Sequence, residues 1–242
     1  MAKTKKAKKQ QYAVDLRELL EAGCHFGHQA KRWNPKIKKY IYAKRDGVHI
    51  FDLAKTAEML IRAMEFVRSW VKEGHEIVFV GTKRQAKEIV REEAKRVGAP
   101  YLAERWLGGT ITNWDEISKR IKVLREMKKK REKGEYKKYT KKENVLITRK
   151  IERLERFLGG IENLDEPPEA LFVVDTHREE VAVREARMKG KPVVGIVDSN
   201  ADPEMVDYPI PANDDAVRSI KLIVNRIAGA YADGKGLRKG GE

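Results

Sequence analysis

A single cysteine, Cys24, in 242 residues excludes an intramolecular disulfide and fits a reducing compartment. It also argues against zinc at Cys24, His25 and His28. A structural site needs four ligands, and the second pair would have to come from His49, His75, His177 or carboxylates. No apolar run approaches the roughly 20 residues that cross a bilayer, and no lipidation motif is present. The lysine-rich start MAKTKKAKKQQ lacks the apolar stretch of a secretory signal. A soluble, cytoplasmic protein without a membrane partner is expected. Also missing are GxxxxGK[ST], GxGxxG and GxSxG, so Gly81-Thr82-Lys83 reads as a tight turn and helix cap, not a phosphate loop.

Acidic residues fall short of basic ones, 37 against 52, a formal net charge of +15. A field of that sign gathers polyanions, and nucleic acid is the leading partner class. Two segments sharpen this expectation: CHFGHQAKRWN at Cys24–Asn34 and RWLGGTITNW at Arg105–Trp114. Both read as loops that mix cations with indoles. Positive charge neutralises phosphate, and a flat ring stacks on an unpaired base.

Asp15 can cap a short helix, Leu16 to Ala22, that Gly23 stops. Tyr40 to Tyr42 and Val48 to Phe51, joined by Arg45-Asp46-Gly47, predict a β-hairpin. A helix from Asp52 to about Lys72 carries Ala57, Leu60, Ile61 and Met64 on one face. The apolar runs Ile77–Val80, Leu171–Val174 and Pro192–Val197 then alternate with helices, the first of them Lys83 to Val97 capped by Thr82. Runs apolar on both faces belong to parallel strands covered on both sides. The expectation is a three-layer, doubly wound parallel α/β sheet.

One stretch breaks this rhythm. Between Asn113 and Leu158 the stripes Ile117, Ile121, Leu124, Met127 and Ile147, Ile151, Leu154, Leu158 fit two antiparallel helices zipped along a coiled-coil seam, joined near Gly134. The organisation expected is a basic flexible tail at 1–13, an α/β domain at 14–112 and 159–231, a helical hairpin insertion at 113–158, and a second basic tail at 232–242. The hairpin's many lysines read either as a solvated face or as a contact surface.

At the strand ends, Asp175, Asp198, Asp214 and Asp215 approach the crevice where this fold class binds ligands. Asp198, Asp214 and Asp215 are weak candidates for a divalent ion, although they also suit turns and caps. No cofactor is otherwise expected. An α/β enzyme acting on an anionic substrate at the strand carboxyl ends is the alternative reading.

Five ordered motifs cover nearly the whole chain, from about Val14 to Tyr231: AGCHFGHQAKRWNPKIKKYIYAKRDGVHIFDL, IVFVGTKRQA, RWLGGTITNW, PEALFVVDTHREEVAVREA and PVVGIVDSNADPEMVDYPIPANDDAVRSI. At these residues the chain resembles the bacterial form of the small-subunit ribosomal protein two family. The resemblance implies a flavodoxin-like α/β domain with an inserted coiled-coil hairpin. It also implies a structural, non-enzymatic role on the small ribosomal subunit, with no small-molecule substrate. The partners implied are rRNA, neighbouring ribosomal proteins and the large mRNA-binding ribosomal protein one. Within that reading, Gln29, Lys31, Arg32, Trp33 and Asn34 meet phosphates and an exposed base, and Lys36, Lys38, Lys39, Lys44 and Arg45 extend the contact. Lys5, Lys6, Lys8 and Lys9 of the leader add charge. Arg105, Trp106, Asn113 and Trp114 form a second contact or brace the hairpin root; packing as a wedge between elements is the favoured reading for Trp106 and an equal alternative for Trp33.

Overall fold

The computed structural model describes residues 12–239; Lys5, Lys6, Lys8 and Lys9 lie outside them. Asp15 caps helix α1 (Leu16–Glu21), its carboxylate accepting the Arg17 N–H at 2.9 Å, and Gly23 ends the helix with φ of +76°. The following CHFGHQ stretch is not a loop. It forms strand β1 (Phe26–Gln29), which pairs antiparallel with β3 (Val48–Phe51); β3 pairs in turn with β2 (Ile41–Arg45). Gly27 is what permits this: a Cβ there would lie 2.9 Å from Ser199 Oγ and 3.2 Å from the His49 carbonyl. The β2–β3 turn uses Asp46 and Gly47, both at positive φ, as a tight hairpin requires.

Asp52 caps α2 (Leu53–Lys72), which buries Ala57, Leu60, Met64, Val67 and Val71. The second sheet consists of β4 (Ile77–Val80), β5 (Tyr101–Leu102), β6 (Ala170–Val173), β7 (Val193–Val197) and β8 (Tyr208–Pro211). Its order is β5-β4-β6-β7-β8, every neighbouring pair parallel. Strands β4, β6 and β7 are buried throughout, which is why they read as unbroken apolar runs. The two edges escape that pattern. Strand β5 has two residues, and β8 carries Pro209 and Pro211, tolerated because an edge strand leaves one row of N–H groups unpaired.

Alternate residues of β4 sort into two cores. Ile77 and Phe79 pack with α2, α3 (Lys87–Val97) and α7 (Val217–Lys239). Val78 and Val80 pack with α6 (Glu180–Met188), with Ile37, Tyr40 and Phe51 around the smaller sheet, and with the hairpin helices α4 (Trp114–Glu132) and α5 (Lys141–Leu158). On the first face Phe79 meets Phe172 and Tyr231 edge-on, centroids 5.2 and 5.9 Å apart. Burying each such ring contributes about 1.5–3 kcal/mol.

Two boundaries depart from the sequence-based expectation. Helix α3 begins at Lys87, because Thr82 spends both its N–H and its hydroxyl on Glu179 and caps nothing. Helix α7 continues beyond Tyr231 to Lys239, so 232–239 is helical where a flexible tail is expected. Gly234 allows the close approach of α7 to α2: a Cβ there would lie 2.6 Å from the Arg68 carbonyl.

Between α4 and α5 the chain turns at Gly134, with φ of +72°, and restarts at a capping box made by Thr140 and Glu143. Ile117, Ile121, Leu124, Ile151 and Leu158 are buried and continuous with the second core, whereas Val145 and Leu146 are exposed.

Candidate nucleic-acid interface

The segment from Gln29 to Arg45 folds back on itself. The Ala30 N–H donates to the Gly47 carbonyl at 2.8 Å, which sets Lys31 and Arg32 beside the β2–β3 turn. Gln29, Lys31, Arg32, Lys38, Lys39, Lys44 and Arg45 are all exposed. Lys36 differs: its ammonium lies 2.8 Å from Asp202 and 2.7 Å from Glu204. Asn34 is occupied as well, its side chain capping the Lys36 N–H at 3.0 Å and its own N–H donating to the Ser199 carbonyl at 2.7 Å. Trp33 stacks on His49, centroids 4.8 Å apart, which leaves the indole half-buried. Here cations surround a braced turn.

The Arg105–Trp114 segment is shaped from a distance. Glu185, on the buried face of α6, accepts from the Trp106 indole and from the N–H groups of Gly109, Ile111 and Thr112. Trp106 is accordingly buried, and Trp114 donates to the Asp165 carbonyl at 3.3 Å. Arg105 and Asn113 remain exposed. The signal for Glu185 was a carboxylate set in the otherwise apolar stripe Ala182, Val183, Ala186.

At the carboxyl ends of the parallel strands a lysine organises the aspartates. The Lys83 ammonium lies 2.6 Å from Asp214, 2.6 Å from Asp215 and 3.1 Å from Asp175. From the smaller sheet, His28 brings Nδ1 to 2.9 Å from Asp198 and Nε2 to 3.3 Å from Asp215. The hydrogen bond to Asp198 outweighs burial and raises the His28 pKa to about 9. Burial also works against the Lys83 charge, but the surrounding carboxylates prevail and hold its pKa above the ordinary value. Burial, with the charges of Asp198 and Asp175, pushes Asp214 upward. Of the three aspartates marked by the sequence for a divalent ion, Asp198 and Asp214 share with His28 a cluster whose ligand atoms lie within 4.8 Å of one another, and Asp215 sits at its half-exposed rim. Lys83 already supplies positive charge there. Its role was invisible in the sequence, where it follows Gly81 and Thr82 as an ordinary turn residue.

Within this cluster two cations, Lys83 and His28, face four carboxylates, Asp175, Asp198, Asp214 and Asp215. Ser199 Oγ accepts the His28 backbone N–H at 2.7 Å. The Cys24 thiol lies in the hydrophobic core, and burial raises its pKa away from thiolate reactivity. Among the described residues no helix is long and apolar enough to cross a membrane. A braced ion cluster lies inside, and Lys31, Arg32, Lys38, Lys39 and Lys44 stand exposed outside. The chain matches the family described as Ribosomal protein S2 over residues 19–234. It is similar to the small ribosomal subunit protein uS2 of Coprothermobacter proteolyticus, 52% identical over 227 residues that span 94% of this chain and 85% of that protein. It therefore belongs to the ribosomal protein S2 family and is a structural, non-enzymatic protein.

Proposed function

We propose that this chain is a structural constituent of the small ribosomal subunit in the cytoplasm, binding rRNA and neighbouring ribosomal proteins and supporting the docking of the large mRNA-binding ribosomal protein one. The observation that carries the RNA reading is the exposed cation set Lys31, Arg32, Lys38, Lys39, Lys44 and Arg45, displayed around a backbone-braced turn. Fixed cations of this kind position a protein on folded RNA through phosphate contacts and shape. The α/β body reads as flavodoxin-like, supported by the order β5-β4-β6-β7-β8, in which the first strand of the parallel sheet lies second from the edge. Helices α4 and α5 read as a coiled-coil hairpin, supported by the buried spacing Ile117, Ile121, Leu124 opposite Ile151 and Leu158.

Sedimentation tests the central reading. In extracts of its host the chain should travel with small subunits at low salt and leave them in a high-salt wash. Migration as a free protein at both salt concentrations overturns it. Loss of protein one from particles that lack this chain, and its return on adding the chain back, tests the docking role.

A further inference from the structure

One flank of the hairpin carries charge that the protein does not neutralise. A groove of about 520 Å³ opens between α4 and α5, with Val123, Leu154 and Phe157 in its apolar floor and no carboxylate in its lining. Arg105, Arg120, Lys150 and Arg153 stand around it. Among the described residues none of these four has an ion-pair partner, while the neighbouring Lys119 is held 2.6 Å from Glu116. Two other hairpin cations are paired: Lys128 lies 2.9 Å from Glu155 and 2.6 Å from Glu162, and Arg125 lies 3.0 Å from Asp165. Lys122, Lys129 and Lys130 also lack an ion pair among the described residues, so what sets the groove apart is unpaired charge around an apolar floor. An adjoining cavity of about 300 Å³ shares Arg105 and Arg120 and reaches Gly108, with one carboxylate, Glu116, in its lining, which Lys119 holds. A Cβ at Gly108 would meet nothing within 4 Å, so a ligand can come close to the loop backbone there.

Four unpaired cations around an apolar floor call for a ligand that alternates negative charge with flat apolar surface. A nucleotide has that build, and three of the four cations are guanidinium forks that match phosphate oxygens. An acidic protein segment supplies charge, but not a regular phosphate backbone for those forks. Resting on the small-subunit reading above, we propose that this groove seats an unpaired nucleotide of rRNA. Its base lies over Val123, Leu154 and Phe157, and the flanking phosphates meet Arg105, Arg120, Lys150 and Arg153.

The test uses the full chain with a photo-crosslinking benzoylphenylalanine in place of Phe157, added to small subunits stripped of the native copy. Irradiation should give an adduct with rRNA, mapped to an unpaired nucleotide. The double variant Arg120→Gln/Arg153→Gln should bind such particles at least tenfold more weakly, with a log–log salt slope lower by roughly 1.5 for two lost phosphate contacts. An adduct with protein alone overturns the RNA assignment. So does a double variant that rebinds like the unsubstituted chain. Failure of the unsubstituted chain to enter the particle overturns the small-subunit reading itself, and this assignment with it.

Discussion

The carboxylate of Glu185 accepts the indole N–H of Trp106 at 3.1 Å, and α6 thereby dictates the shape of a loop 79 residues away in sequence. The same carboxylate accepts from Gly109 at 2.8 Å, Ile111 at 3.1 Å and both the N–H and hydroxyl of Thr112 at 3.2 and 3.1 Å. Burial opposes ionisation, yet these donors hold its carboxyl below the usual range. Removing the acceptor leaves several donors without a partner.

Glu185→Ala should therefore lower unfolding stability by about 3 kcal/mol or more, since each buried group left unsatisfied costs about 1–3 kcal/mol. A depressed pKa gives stability that is present above the unfolded value near 4.3 and lost as pH falls through the folded value. The gap between the native chain and Glu185→Gln should thus narrow below about pH 4. Urea denaturation at several pH values measures both effects; a loss under 1 kcal/mol at neutral pH counts against this role.

Lys83→Met tests the ion cluster. Without its ammonium, Asp175, Asp214 and Asp215 lose a shared counter-charge, and breaking a buried pair costs about 3–5 kcal/mol. Part of that loss should be recovered as pH is lowered and the carboxylates take up protons. A variant as stable as the native chain across pH 5 to 8 would contradict the arrangement.

His28 gives stability a slope on the alkaline side. Its folded pKa of about 9 lies above the ordinary value of 6.5. The contribution is therefore complete below pH 6.5 and disappears as pH rises through 9. The expected size is at most about 3 kcal/mol. Thermal unfolding of His28→Gln should show that slope flattened between these limits.

The cation surface is tested through salt. Replacing Lys38 and Lys39 by Ala should reduce the log–log slope of binding to stripped small subunits by roughly 0.7–0.9 per phosphate contact removed. Lys36→Ala should leave the slope nearly unchanged, because Asp202 and Glu204 already hold that ammonium. Equal effects from both substitutions would mean that the internal pairing does not persist on the particle.

What the sequence determined by itself was whatever depends on neighbours along the chain. Asp15 and Asp52 cap their helices through N–H groups two residues on, and Asp46-Gly47 closes its hairpin, because these contacts are local. Strands β4, β6 and β7 were legible as apolar runs because burial on both faces removes alternation. The exposed cations beside Trp33 were legible for the same reason: exposure needs no partner. Tertiary structure decided the rest. Strand β1 exists because a glycine lets it pass Ser199, and β5 and β8 are strands only because a sheet edge receives them. Lys83 meets Asp214 across 131 residues, and Glu185 meets Trp106 across 79. A lone lysine or glutamate in sequence reads as solvated surface. Only when folding excludes water from such a charge must it find a partner, and the cost of leaving it unpaired fixes where that partner is.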